Sequence, residues 1–395
     1  LFKASKSAVE LDNNMREVQA RMSGISPAGL KELSDEAKRL GGSTRYTIGQ
    51  VSAMMTEFAK AGVSKDGIMS MSGAMLSFAT ATGIAVDEAT KLALRTADQF
   101  GMPQDAESII AVTDALAFAA NNAQVTVTEL GEGMQYAGSL AKNYGQTIED
   151  TLATMALMGN VGITGSMAGT TMNRMFQKLS EGGVVVNGVA IEVEALDGSM
   201  RSIPNIFRDI GRAMEGMGDL EKVQTMNDIF GRLGVKGAVI GVTQVDALTT
   251  LGDKMQKIKG YSASVAEIID SGIGGTLWRV VSAVDAFGVA LAEEILPIVN
   301  SVAKVFNSMV TYITPLISNF EWLGITILSV FTGLSVGAVA LLAFAAVSTV
   351  LAAAFAGMAG IVSAIGTAIS GIVAFGSALV GLPILAVLGI VAAIV

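Results

Sequence analysis

The chain is 395 residues long and carries 26 basic against 35 acidic residues, for a formal net charge of −9. That balance argues against a nucleic-acid partner held through a basic surface, because such binding works by neutralising phosphates. There is no cysteine and no histidine, which excludes a disulfide framework, a thiolate metal site and the commonest general base.

Residues 1–25 read as the end of a helix, with Leu1, Ala4, Ala8, Leu11, Met15 and Val18 three or four apart. That spacing makes one apolar edge. It fits a coiled coil arriving from upstream and fits a single surface helix equally well. A signal peptide would need an apolar central run, which LFKASKSAVELDNNM does not supply. The start at Leu1 and the end at Val395 suggest a section of a longer protein.

Residues 26–182 read as a helical core with a repeated punctuation. Helical runs end in glycine and restart at a capping residue. The joints are Gly62-Val-Ser64, Gly83 through Asp87, Gly101-Met-Pro103, Gly145-Gln-Thr147 and Gly162-Ile-Thr164. Glycine adopts the left-handed conformation that closes a helix, and Ser, Thr or Asp then satisfies the next helix's first N–H groups. Thr47 with Gln50 and Thr126 with Glu129 have capping-box spacing. Between joints, Ile48, Val51, Met55 and Phe58, and later Leu130, Met134, Ala137, Ala141 and Tyr144, mark buried faces. Short joints predict antiparallel neighbours, while the spacing is too irregular to read as a solenoid.

Residues 183–203 break this pattern. The run VVVNGVAIEVEALDGSM is β-branched and alternating, with Asn187-Gly188 and Asp197-Gly198 as turn dipeptides. It predicts a small β-hairpin or meander. Residues 204–275 return to helix, opened by Pro204, with a second capped helix from Asp219. Residues 276–321 read as a long amphipathic helix, capped by Thr276 after a break at Gly274-Gly275 and kinked at Pro297 and Pro315. Its stripe is Trp278, Val281, Val284, Phe287, Leu291, Ile295 and Ile298.

Residues 322–395 contain no Asp, Glu, Lys or Arg. A bilayer core is crossed by roughly 20 apolar helical residues, so the block suffices for about three crossings. Trp322 suits a membrane–water boundary, and Gly333 with Gly337 has the spacing that lets helices approach closely in lipid. The same surface could be hidden by many copies packed in a protein tube. The fold class expected is therefore mainly α: a helical array with a small β insertion, a long amphipathic helix, then hydrophobic transmembrane-like helices.

The glycine-rich stretch from Gly162 to Thr170 lacks the Lys of a phosphate loop and follows a helical run, not a strand. It reads as a tight interhelical turn in which Gly165 and Gly169 permit close backbone approach. Glu293-Glu294 reads as a solvated helix face. Glu149-Asp150 and Asp87-Glu88 fall in first helical turns, where negative charge suits the helix dipole. No nucleophile–base pair and no metal constellation is legible, so no catalytic residue and no cofactor is expected. The residues alone also allow a pore-forming toxin with a helical head, and an envelope hydrolase that cleaves with carboxylates.

Six sequence pieces stand in one order. They are Leu40–Thr44, Ala61–Ser64, Val112–Asn121 (VTDALAFAAN), Gly162–Thr170, Asp197-GSMR, and Ile229-Phe230-Gly231. Together, over roughly residues 35–240, the chain resembles the core region of phage tail tape measure proteins of the minor tail protein type. The resemblance implies a non-enzymatic role. Such proteins fill the tail-tube lumen as a bundle of identical chains, beside tail tube and tail tip or baseplate proteins, and their length sets tail length. On infection they leave the virion ahead of the DNA, and their hydrophobic segments help form a passage through the host membrane. A compact array and an extended ruler are different shapes for one sequence, so a rearrangement between them is expected.

Overall fold

A computed structural model describes residues 2–290 and 292. Trp322, Gly333, Gly337, Pro297, Pro315, the Glu293-Glu294 pair and the uncharged block all lie outside the described residues. The chain divides into a unit spanning Val9–Ala286 and a second made of Leu1–Ala8 with Phe287–Val395. Only short helical stretches of the second unit are described.

Helix α1 (Phe2–Arg21) carries the first predicted apolar edge, and its Leu11, Met15 and Val18 are buried. Asn14 on the same helix donates to the Ser52 hydroxyl at 2.9 Å. The edge is therefore used within this chain. Eight helices follow: α2 (Pro27–Ser43), α3 (Ile48–Lys60), α4 (Lys65–Thr82), α5 (Val86–Gln99), α6 (Ala106–Asn121), α7 (Val127–Asn143), α8 (Ile148–Gly159) and α9 (Gly165–Ser180).

Four of the joints share one construction. The residue after the glycine donates its N–H back five positions: Val63 to Phe58, Met102 to Ala97, Gln146 to Ala141 and Ile163 to Met158. This is the glycine-terminated closure in which a residue past the helix end also packs against its last turn. Val63 and Ile163 are accordingly buried. At three of these joints the next helix starts on a side-chain cap, Ser64, Asp105 or Thr147, which accepts from a backbone N–H three residues on; Thr126 does the same after a joint without glycine. Two expected caps differ. Helix α5 starts after Ala85 with no side-chain bond and relies on Asp87 and Glu88 in its first turn. Thr164 makes no side-chain cap on α9.

Successive helices alternate between two rows. Helices α3, α5, α7 and α9 lie side by side in one, and α2, α4, α6 and α8 in the other. The N-caps of the first row, Thr47, Ala85, Thr126 and Thr164, recur about every 40 residues, the period of helix-pair solenoids. The irregularity expected from sequence is thus confined to caps and joints. The stacking period is regular, because each helix must cover its second neighbour's apolar face.

The β insertion is a meander. Strands β1 (Val185–Val186) and β2 (Val189–Ala190) pair antiparallel across Asn187-Gly188, both at positive φ as a tight hairpin turn requires. A second antiparallel bridge joins Glu194 to Met200 around Asp197-Gly198. Helix α10 (Ile203–Ala213) begins with Pro204 in its first turn. Helix α11 (Asp219–Thr243) has Gly218 at its cap and is broken at Gly231, whose φ is 65°. Its second half extends the first row beyond α9.

Helices α12 (Val245–Lys257) and α13 (Tyr261–Ser271) reverse direction. Helix α12 lies on α8 and α6, and α13 lies on α6 and α4. They run back along the second row as a third layer. Helix α14 (Ile273–Ala290) follows after a break at Gly272. Gly274, Gly275 and Thr276 are inside it, which corrects the expected start. The Thr276 hydroxyl donates to the Gly272 carbonyl, one turn back, and does not cap the helix.

Candidate functional site

Gly62, Gly101, Gly145 and Gly162 sit at joints with φ between 61° and 82°. They punctuate the array at well-separated points and line no common cavity. No group of three or more Asp or Glu among the described residues could hold a metal ion. What these residues position is a set of helix crossings and two long-range polar caps.

The stretch read as a tight interhelical turn is a turn only over Gly162–Thr164, and from Gly165 onward it is the start of α9. Gly165 opens the helix with φ 55°, and Gly169 follows one turn later on the same face. A Cβ on Gly169 would overlap the Gly133 carbonyl oxygen of α7 and stand 2.7 Å from the Tyr136 Cβ. A Cβ on Gly133 would stand 3.2 Å from the Gly165 carbonyl oxygen. One turn further, the Asn173 amide donates to the Tyr136 carbonyl at 2.6 Å. Gly165, Gly169 and Asn173 are four apart, so they form one ridge of α9. Removing side chains from that ridge brings two backbones together. The expected close approach is present, between helices and not within a loop.

Glu129 shows how a cap joins two helices. Its carboxylate accepts from the Thr126 N–H at 2.8 Å and the Thr126 hydroxyl at 2.9 Å. The Thr126 N–H above all, then the Thr164 hydroxyl at the α9 start, hold it below the ordinary glutamate range. A depressed folded value means the cap stabilises above the unfolded value and fades as pH falls through the folded one. We expect the protection factor of amides at the α7 start, corrected for the slower intrinsic exchange in acid, to fall between pH 7 and pH 3. We expect Thr126→Ala to cost about 1 kcal/mol in thermal unfolding at pH 7. A cost that did not shrink on acidification would show that Glu129 is not part of the cap.

Two buried polar residues escaped the sequence reading. Gln146 is 4% exposed and occupies the joint position that Val63 and Ile163 fill elsewhere. Its amide donates to the Arg201 carbonyl at 3.1 Å and accepts from the Ile203 N–H at 2.9 Å, so it caps α10 from across the fold. Asp114, in α6, is 2% exposed. It accepts from the Gly260 N–H at 2.5 Å and the Ser262 N–H at 2.8 Å, capping α13. The available signal was the residue type: an acid on the otherwise apolar face of α6 and an amide where the equivalent joint residues are Val63 and Ile163.

Helix α14 carries the first part of the predicted stripe, with Trp278, Val281 and Val284 each more than half exposed, while Leu291, Ile295 and Ile298 lie outside the described residues. Leu277 and Val280, on other faces, are exposed as well. Among the described residues it is the single unbroken helix long and apolar enough to cross a membrane. The stripe is therefore not part of the array's core.

Comparison with known proteins follows the same boundaries. The family described as "Phage-related minor tail protein" matches residues 34–231, which run from α2 to the break in α11. A probable tape measure protein of Escherichia phage P2 is 24% identical over 275 residues, covering 68% of this chain and 34% of the relative. A tape measure protein of Pneumococcus phage Dp-1 is 22% identical over 343 residues, covering 83% of this chain and 29% of the relative. The chain thus spans about a third of the length of these curated relatives. No solved structure matches it. With half of its length matched, from the first row of helices to the α11 kink, the chain belongs to the phage-related minor tail protein family.

Proposed function

We propose that this chain is the core section of a tail tape measure protein. It lies in the lumen of a phage tail as several identical copies, beside tube and tail-tip proteins, and sets tail length. It leaves on infection, and its apolar C-terminal part then helps DNA cross the host envelope. The role is structural, with no catalytic step and no cofactor. The observation that supports this reading is the order of parts: a family-matched array, then, further along the chain, an exposed apolar helix and an uncharged block.

The geometry divides labour along the chain. An array of short helices folded back on one another cannot measure length residue by residue. A continuous helix can, because it rises about 1.5 Å per residue. The ruler is assigned to continuous helix outside the array.

In-frame deletions between Thr276 and Phe320 in the encoding phage test this. Electron microscopy is expected to show tails shortened by about 1.5 Å per deleted residue. Intact tails of unchanged length would assign the segment to cargo or plug. Absence of the protein from purified virions would falsify the whole reading.

A further inference from the structure

We propose that α12 and α13 form a strap that releases as a unit from an array that stays folded. The strap crosses the second row from α8 to α4, over the helices at the centre of the array. Its grip is small. Helix α12 buries Leu248, Gly252 and Met255, and α13 buries Ser262 and Ala266. Helix α4 beneath it buries nine residues, including Ile68, Met71, Met75 and Phe78. Free energy of burial scales with apolar area, so the strap is held by far less of it than the helices it covers.

The remainder of the grip is polar. The Asp114 carboxylate holds the Gly260 and Ser262 N–H groups, and the Ser262 hydroxyl donates to the Thr113 carbonyl at 3.1 Å. Tyr261 meets Phe118 edge-on with ring centres 5.1 Å apart. At the far end Asp270 pairs with Arg45 at 3.3 Å, in the loop between α2 and α3. At the near end Arg208 of α10 donates to Thr249 of α12 at 2.8 Å. Gly260 provides the turn between the two helices, with φ 76°.

A latch of this kind opens cleanly. When α13 lifts, Asp114 is left on the surface of α6, where water replaces the two N–H groups. No charge is stranded in an apolar interior, which is the circumstance that makes loss of a buried ion's partner so costly. The apolar contacts between the two rows stay closed throughout. Units with few buried contacts open before the rest of a domain, and amide exchange reads that order. Release would remove one tether on α14, which starts one residue beyond α13. This mechanical statement stands whether or not the chain measures tails.

Hydrogen exchange by mass spectrometry on the full chain in mild detergent tests it, comparing wild type with Asp114→Asn and Asp114→Ala. In Asp114→Ala, protection of residues 258–271 is expected to fall by roughly a hundredfold, as the loss of two charge-assisted bonds implies. Asp114→Asn keeps one acceptor and should fall between. Protection of α3, α5, α7 and α9 should be unchanged in both. Equal loss across α3–α9 and α13, or an Asp114→Ala chain that does not fold, would make the strap part of one cooperative core and overturn the proposal. Unchanged protection at 258–271 would also overturn it.

Discussion

Gly169→Val is expected to lower the thermal midpoint of the array by several to about 10 °C. The reason is what the new side chain meets. A Cβ at 169 collides with the backbone oxygen of Gly133 and stands 2.7 Å from the Tyr136 Cβ. Backbone atoms of a packed helix cannot rotate away as a side chain can. Helices α7 and α9 would have to separate, opening an interface that buries Met134, Ala137, Met172 and Phe176 on its two sides. Overpacking of this kind costs about 1–3 kcal/mol, and valine adds its own helix penalty. At roughly 2–4 °C per kcal/mol for an array of this size, the midpoint moves by several to about 10 °C. Circular dichroism at 222 nm on the chain in detergent would read it. Gly73→Ala is the control: it is exposed inside α4 and a Cβ there meets nothing within 4 Å. That change should leave the midpoint unaltered or raise it, since alanine is the better helix former. Equal effects of the two substitutions would show that the α7–α9 crossing is not closely packed.

Phe207→Ala should be at least as damaging, and its damage should be partly repairable. Phe207 is fully buried and meets Phe230 edge-on with ring centres 6.1 Å apart. Truncating a buried phenylalanine costs about 3–5 kcal/mol through lost burial and the void left behind. The same ring fills the space over Gly241 of α11, where a Cβ would stand 3.0 Å from Cζ and closer still to the ring edge. Gly241→Ala in wild type is therefore destabilising. In the Phe207→Ala background the ring is gone, and the added methyl occupies part of its void. The second substitution should change sign, which a double-mutant cycle measures as coupling. Simple additivity would mean that α10 and α11 are not seated on each other through this ring. No such rescue exists for Gly169, because its obstacle is main chain.

The contrast between these two glycines shows where sequence reading stopped. Gly169 lay in a stretch legible as a place of close backbone approach, yet it was placed in a turn, because a glycine-rich run gives no local sign of which helix it faces. Gly241 gave no sign, since its reason is an aromatic ring on another helix. Joints were more accessible. Gly62, Gly101 and Gly145 terminate helices through bonds made within six residues, and the caps at Thr47, Thr126 and Thr147 act within three. Such bonds are written in consecutive letters. The hairpin at Asn187-Gly188 is of the same kind.

The features legible in the chain order are accordingly local: the helical class, the joint glycines, the capping boxes, a hairpin or meander, the beginning of an apolar stripe in α14 and, through six ordered pieces, the family. Only the tertiary structure decided that the helices stack in two regular rows and that α12 and α13 double back over one of them. It alone assigned Asp114 and Gln146 to cap helices that begin 147 and 57 residues downstream, at Tyr261 and Ile203. The physical reason is range. A cap or a turn is satisfied by neighbours in the chain, so its residues must appear together. A buried acid is satisfied by whichever backbone N–H groups folding brings to it, and no spacing in the sequence records that meeting.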